Sequence, residues 1–147
     1  MKFTVRRAEA EDAAAIAVCL AALGYATPAA LVVEKLATLI GSSSDGVLVA
    51  DDPTTGIIGV VSVHLVPLFH VPGNLARLTA LAVVPGHQRK GVGRALVAAA
   101  EVFAWQRDCQ RVEVTSGDHR EDAHRFYHAL GYEMDERRFI KHLSSAV

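Results

Sequence analysis

Residues 85–96, PGHQRKGVGRAL, set Gln88, Arg89, Lys90 and Arg94 around two glycines, Gly91 and Gly93, directly behind the apolar run LTALAVV. A plain strand-to-helix connection needs only a turn residue and a cap. The first turn of a helix presents N–H groups without intrahelical partners and the positive end of the helix dipole, so phosphates bind there readily. Glycine lets the backbone approach such an anion with no Cβ between them. The amide and basic side chains can add further donors around the same charge. The stretch reads as an anion cradle, with a solvated basic turn as its plain alternative.

Two nucleotide motifs compete for the same residues. GHQRKGVG begins like a phosphate-binding P-loop, with four residues between Gly86 and Gly91, but Val92 and Gly93 stand where the lysine and hydroxyl residue are required. A dinucleotide fingerprint on Gly91 and Gly93 needs a third small residue, where Leu96 stands. Glu113 lies near the distance of a ribose-binding acid, which keeps that reading open as a weaker rival. Further along, His124 and His128 stand four apart in one helical segment. The intervening RFY lacks the glutamate of the zinc hydrolases, so no metal site is expected.

The elements that must position these groups follow from apolar periodicity. KFTVRRA reads as a short strand, and EAEDAAAIAVCLAALGY as a helix with acids at its positive end. TPAALVVEKLATLIG is a second helix, with Thr27 as N-cap and Pro28 at the first helical position. VLVADD and GIIGVVSVHLVPL form a hairpin across PTTG, and LARLTALAVV is a central strand covered on both sides. The helix GVGRALVAAAEVFAWQRD repeats Val92, Ala95, Leu96, Ala99 and Val102 or Phe103 at helical spacing. RVEVTS is a strand, EDAHRFYHALGY a helix closed by Gly131, and RRFIKHL a final strand. One α/β domain spanning residues 1–147 is expected.

Composition narrows the partners. The 147 residues carry 15 Lys and Arg against 16 Asp and Glu, a balance that argues against a nucleic-acid binder. Any anion site is therefore local. The longest apolar stretch is too short for a membrane helix, and the charged N-terminus does not read as a signal peptide. Cys19 and Cys109 have no metal-ligand spacing and read as reduced thiols of a cytoplasmic protein.

The spacing Gln-x-x-Gly-x-Gly at 88–93, behind an apolar strand and opening a helix, resembles the coenzyme A pyrophosphate loop of the GNAT acetyltransferase superfamily. The helix motif Ala-x-x-Phe-Tyr-x-x-Leu-Gly-Tyr at 123–132 strengthens the likeness, which covers roughly residues 75–143. It implies an α/β (α+β) fold with a mixed, mainly antiparallel sheet flanked by helices on both faces. Leu81, Ala82 and Val83 then lie beside the pantetheine arm, which pairs with the strand as an added strand does. An N–H near Val83 faces the thioester oxygen. Gln88, Arg89, Lys90, Gly91, Val92, Gly93 and Arg94 hold the pyrophosphate of acetyl-CoA.

The resemblance also implies that Tyr127, catalytic and in contact with the cofactor, stabilises or protonates the leaving thiolate. Phe126 beside it is packing. Many similar proteins carry an asparagine where Arg120 stands, and a glutamate as base where Thr79 stands. A threonine cannot take that role at neutral pH, so the base stays open among His64, Glu34 and water. Asp135 and Glu136 are candidates to attract a cationic acceptor, with Tyr25 and Glu34 on the acceptor side. The implied activity is direct acetyl transfer to a primary amine of a small molecule, or of a peptide, in a ternary complex. A non-catalytic acyl-CoA sensor or scaffold is the alternative. Similar proteins frequently form dimers, and a homodimer is an expected partner.

Overall fold

The computed structural model describes residues 2–115, 121–135 and 138–143. The chain divides into two compact units, residues 1–115 and 116–147. The first holds five strands in the order of the chain: β1 (Thr4–Arg7), β2 (Asp45–Asp52), β3 (Gly56–Pro67), β4 (Asn74–Val83) and β5 (Cys109–Val114). β2, β3 and β4 are antiparallel neighbours joined by short turns, β1 pairs antiparallel with β2 across a helical connection, and β5 returns through a helix and pairs with β4 in parallel. The sheet is thus mixed and mainly antiparallel.

Alternation along β2 and β3 divides the sheet into two faces. Gly46 and Gly59 belong to the face beneath a long helix, α3 (Val92–Trp105). A Cβ on Gly59 would stand 2.9 Å from Leu96 Cδ1 and 3.1 Å from Val92 Cγ1, so the helix lies directly on the strand there. Phe103 covers Gly46 in the same way, 3.0 Å from where a Cβ would be. Of the two residues the helical spacing left open, Phe103 is the buried one and Val102 is exposed. On the opposite face Val49, Val60 and Ala82 pack with Ile16, Cys19, Val32 and Leu36 from α1 (Ala13–Ala22) and α2 (Ala29–Leu39). Helices therefore flank both faces.

Three boundaries differ from expectation. The acidic run before α1 is a short 3-10 turn, Ala10–Asp12, in which the Glu9 N–H donates to Asp12 Oδ2 at 2.7 Å. Arg6 grips the same carboxylate with two N–H bonds, at 2.8 and 3.0 Å, and reaches Asp51 at 3.1 Å. The Arg6 bonds, against the opposing effect of burial, hold the Asp12 carboxyl below the usual range. The cap of α2 is Pro28, not Thr27: Pro28 keeps an extended ψ of 142°, and the Thr27 hydroxyl turns back to the Tyr25 carbonyl.

The expected final strand is not formed over residues 138–143, where Phe139 and Leu143 are almost fully exposed. A strand forms only with a partner to take its backbone bonds, and alternation by itself does not provide one. In the second unit α4 (Glu121–Ala129) is followed by a turn in which the Tyr132 N–H returns to the Tyr127 carbonyl at 3.0 Å and Gly131 has positive φ. Among the described residues no helix is long and apolar enough to cross a membrane.

Candidate active site

β5 pairs with β4 only as far as Leu78, opposite Val114. From Thr79 to Val83, β4 continues with β3 as its only described strand partner. The Val84 N–H donates to the Ile58 carbonyl at 2.9 Å, which fixes the alternation of this ladder. The peptide groups of Ala82 therefore face β3, and those of Leu81 and Val83 point to the side that β5 leaves. Leu81 and Val83 can accept an added extended chain through backbone bonds. Ala82 cannot, because its own groups belong to the ladder and its side chain is buried in the core.

The loop from β4 to α3 folds on unusual backbone angles. Gly86 and Gly91 have φ of +89° and +83°, and Arg89 takes +64°, the left-handed region that side chains avoid. Gly91 is the N-cap of α3, and the first bond of the helix runs from the Ala95 N–H to the Gly91 carbonyl at 3.0 Å. The N–H groups of Val92, Gly93 and Arg94 precede that first helical bond and form the free N-terminal end. A Cβ on Gly91 would meet nothing within 4 Å, so backbone angle, not crowding, requires glycine there.

Arg89, Lys90 and Arg94 are exposed around this end, whereas Val92 is 1% exposed and offers only its backbone. Gln88 also has a partner within the protein. Its Nε2 donates to the Val83 carbonyl at 3.1 Å and ties the loop to the strand, so one of its donors is already engaged. His87, which the sequence did not single out, carries a buried Nδ1 with no partner among the described residues.

A second polar group gathers on the α1–α2 face of the sheet. His64 on β3 meets the Asp45 carboxylate through Nδ1 at 2.7 Å and the Thr79 hydroxyl through Nε2 at 2.8 Å. Ser62 lies 2.7 Å from the same Thr79 oxygen, and the Ser42 hydroxyl donates to Asp45 Oδ2 at 2.8 Å. Burial works to raise the Asp45 carboxyl, but the His64 and Ser42 bonds hold it below the usual carboxylate range. His64 was expected from its strand position. Asp45, at the far end of a polar break, had no sequence signal pointing to it.

In the second unit, Tyr127 is half-buried, with edge-to-face contacts to Phe126 at 5.1 Å and Tyr132 at 5.7 Å between ring centres. Burial pushes its phenol above the ordinary tyrosine value. His128 donates from Nδ1 to the Tyr132 carbonyl at 3.1 Å. Among the described residues no cluster of His, Cys, Asp or Glu is arranged to hold a metal. Tyr25 and Glu34 are exposed in the first unit, as is Asp135 in the second; Glu136 and Arg120 lie outside the described residues.

Comparison with known proteins places these features. An aminoalkylphosphonate N-acetyltransferase of Salmonella typhimurium is 32% identical over 87 residues, a match spanning 59% of this chain and 56% of that one. The crystal structure of a transcriptional regulator from Bacillus halodurans C-125 superposes with a TM-score of 0.87 at 23% identity, covering 97% of this chain and all of that one. AAC(6')-Iy, solved with the bisubstrate analogue CoA-S-monomethyl-acetylneamine, has a TM-score of 0.84 at 16% identity over 98% and 99% of the two chains. At such identities the structural likeness speaks for the fold alone. The sequence of residues 13–132 itself matches one family, and with that span the chain belongs to the acetyltransferase (GNAT) family.

Proposed function

We propose that this chain is an acetyl-CoA-dependent N-acetyltransferase, acting as one domain over residues 1–147 and transferring acetyl directly to a primary amine. The observation that carries this reading is the strand edge at Leu81 and Val83 opening beside the free N-terminus of α3. An extended arm with amide groups and a charged pyrophosphate at one end suits that pair of features. Arg89, Lys90 and Arg94 supply charge to the pyrophosphate, and the backbone of Gly91 to Gly93 supplies its N–H groups. The unpartnered His87 nitrogen in the same loop gains a polar neighbour when the cosubstrate is bound.

Tyr127 is the proton donor. A model thiol has a pKa of about 8.5 against about 10 for tyrosine, so the phenol keeps its proton at neutral pH and can stabilise a departing thiolate by donating a hydrogen bond or protonate it as it leaves. The burial that raises the Tyr127 phenol favours the protonated form further. Cys19, whose thiol burial pushes up to about 11, is a poor nucleophile, and burial also raises Cys109. Both support transfer without a covalent enzyme intermediate. A reducing cytoplasm, in which both thiols stay free, is the setting this reading implies.

The acceptor is a small amine, with peptide amines second. One relative is named for aminoalkylphosphonates, and one structural neighbour holds an analogue that joins CoA to acetylneamine. Calorimetric titration with acetyl-CoA, followed by thiol release with a panel of amines, tests the proposal. Micromolar binding and amine-dependent release are expected. Tyr127→Phe should slow turnover about a hundredfold while acetyl-CoA affinity stays within about twofold. Tight binding with no release for any amine would turn the reading toward an acyl-CoA sensor.

A further inference from the structure

We propose that Thr79, His64 and Asp45 form a proton relay that deprotonates the acceptor amine, with Thr79 Oγ1 meeting the amine and His64 Nε2 receiving the proton behind it. The inference rests on the acetyltransferase reading above. It replaces a carboxylate base, absent at position 79, by a hydroxyl backed by an imidazole.

Hydrogen-bond bookkeeping fixes the direction of the chain. An ionised carboxylate only accepts, so at 2.7 Å from Asp45 Oδ1 the His64 Nδ1 must be the donor. A neutral ring with its proton on Nδ1 has a lone pair on Nε2, so the Thr79 hydroxyl must donate to it across 2.8 Å. The Ser62 hydroxyl then donates to the Thr79 oxygen across 2.7 Å, leaving that oxygen one lone pair for an incoming N–H. Asp45 is held from its other side by Ser42 at 2.8 Å, so the carboxylate that sets the tautomer is itself fixed.

The place of Thr79 supports the same role. Ser62 pairs with Ala80 and Val63 with Leu78, which leaves Thr79 as the extra residue of a β-bulge. The bulge turns an exposed hydroxyl out of the strand two residues before Leu81, whose peptide groups line the open edge. His64 and Asp45 are about one-quarter exposed, enough to exchange protons with water between turnovers.

Other charges around the ring are accounted for. Arg77 stands opposite His64 on β4 and is paired with Glu113 of β5 at 2.6 Å; Glu113 also accepts from Arg111 at 2.7 Å. On the helices of this face, α1 carries only the buried Cys19, and α2 carries Glu34 and Lys35, both exposed.

The amine nitrogen forms its bond to the thioester carbonyl carbon and passes its proton to Thr79 Oγ1. The hydroxyl proton of Thr79 moves to His64 Nε2, and the imidazolium is held as an ion pair with the Asp45 carboxylate until it releases a proton to water. The C–S bond breaks, its electron pair leaves on sulfur, and Tyr127 protonates the thiolate, the phenolate then regaining a proton from water. Asp45 positions the ring and takes no proton.

Steady-state rates against pH, for wild type and the variants His64→Gln, Asp45→Asn, Thr79→Val and Thr79→Ser, test the relay. In wild type, kcat falls on the acidic side where imidazole gains its proton. His64→Gln and Thr79→Val should each lower kcat about a hundredfold and abolish that limb, while acetyl-CoA affinity and melting temperature hold. Thr79→Ser, which keeps the hydroxyl, should restore most of the rate, and Asp45→Asn should lose about tenfold in kcat with little change in KM for the amine. Thr79→Val is near-isosteric at an exposed site, so it remains readable even if His64→Gln fails to fold. Amine-dependent turnover in either variant within about threefold of wild type, with the acidic limb unmoved, overturns the relay alone. An acetyl ester trapped on Thr79 also overturns it, in favour of a covalent route. Wild type that binds acetyl-CoA but acetylates no amine overturns the acetyltransferase reading and the relay together.

Discussion

In the loop between β4 and α3, the groups suited to an anion come from one continuous stretch, Gln88 to Arg94, and much of the donor set is backbone. The hydroxyl–imidazole–carboxylate chain is assembled otherwise, with Asp45 from β2, Ser62 and His64 from β3 and Thr79 from β4. The first depends on local angles, above all the positive φ of Gly91. The second depends on the register of three strands and on a bulge that places Thr79 beside His64. A loop of this kind tolerates side-chain change but not backbone change; for the strand-built chain the reverse holds.

That contrast can be broken by experiment. Removing the Thr79 hydroxyl should act on rate, about a hundredfold in kcat, and hardly on acetyl-CoA affinity; equal losses in both would mean the two regions are one site energetically. Gly91→Val should do the opposite. Forcing a β-branched residue into the left-handed region costs about 1–2 kcal/mol, so calorimetry should show acetyl-CoA binding weakened roughly tenfold, with kcat at saturation nearly kept.

Gly59→Ala probes the packing that both regions share. Its Cβ would come within 2.9 Å of Leu96 Cδ1 and 3.2 Å of the Ala82 carbonyl, so α3 must shift on the sheet. Chemical denaturation should show a loss of about 1–3 kcal/mol, accompanied by weaker acetyl-CoA binding because the N-terminus of α3 moves with it. An unchanged midpoint would mean the helix yields without strain.

Asp12 provides a control remote from both regions. Its carboxyl titrates lower when folded than in the open chain, chiefly through the Arg6 bonds. The stabilisation is present above the unfolded value of about 3.9 and is lost as pH falls through the lower folded value. Asp12→Asn should therefore cost on the order of 1–2 kcal/mol at pH 7, with the difference from wild type shrinking on acidification and with kcat intact. A difference independent of pH would argue against the ion pair.

Much of the fold could be read in advance, because the apolar runs of residues 47–83, broken by PTTG and FHVPGN, read as paired strands, and the 3.6-residue repeat of Val92, Leu96 and Phe103 reads as a helix. The glycine-capped turn that opens α3, which we propose holds the pyrophosphate, was legible for the same reason: glycine spacing is local. Ala82 and Gln88 show the limit. Which peptide groups of β4 face outward depends on the ladder with β3, and the Gln88 amide turns to Val83 only once the loop has folded back. The strand expected at the end of the chain and not formed over 138–143 makes the same point from the other side, since a local run of residues says nothing about whether a neighbour is there to pair.

Residue order along the chain thus settled most of the elements and the glycine turn that opens α3, which follow from interactions among residues a few positions apart. The meeting of Asp45, His64 and Thr79, up to 34 positions apart, was settled by strand register and one extra residue in β4. A one-residue slip would send each of these side chains to the other face of the sheet. No pattern within a single strand records that register. It is fixed by the packing of α1, α2 and α3 on the two faces, which buries Val49, Val60 and Ala82 on one side and leaves the hydroxyl, the imidazole and the carboxylate within reach of one another farther along it.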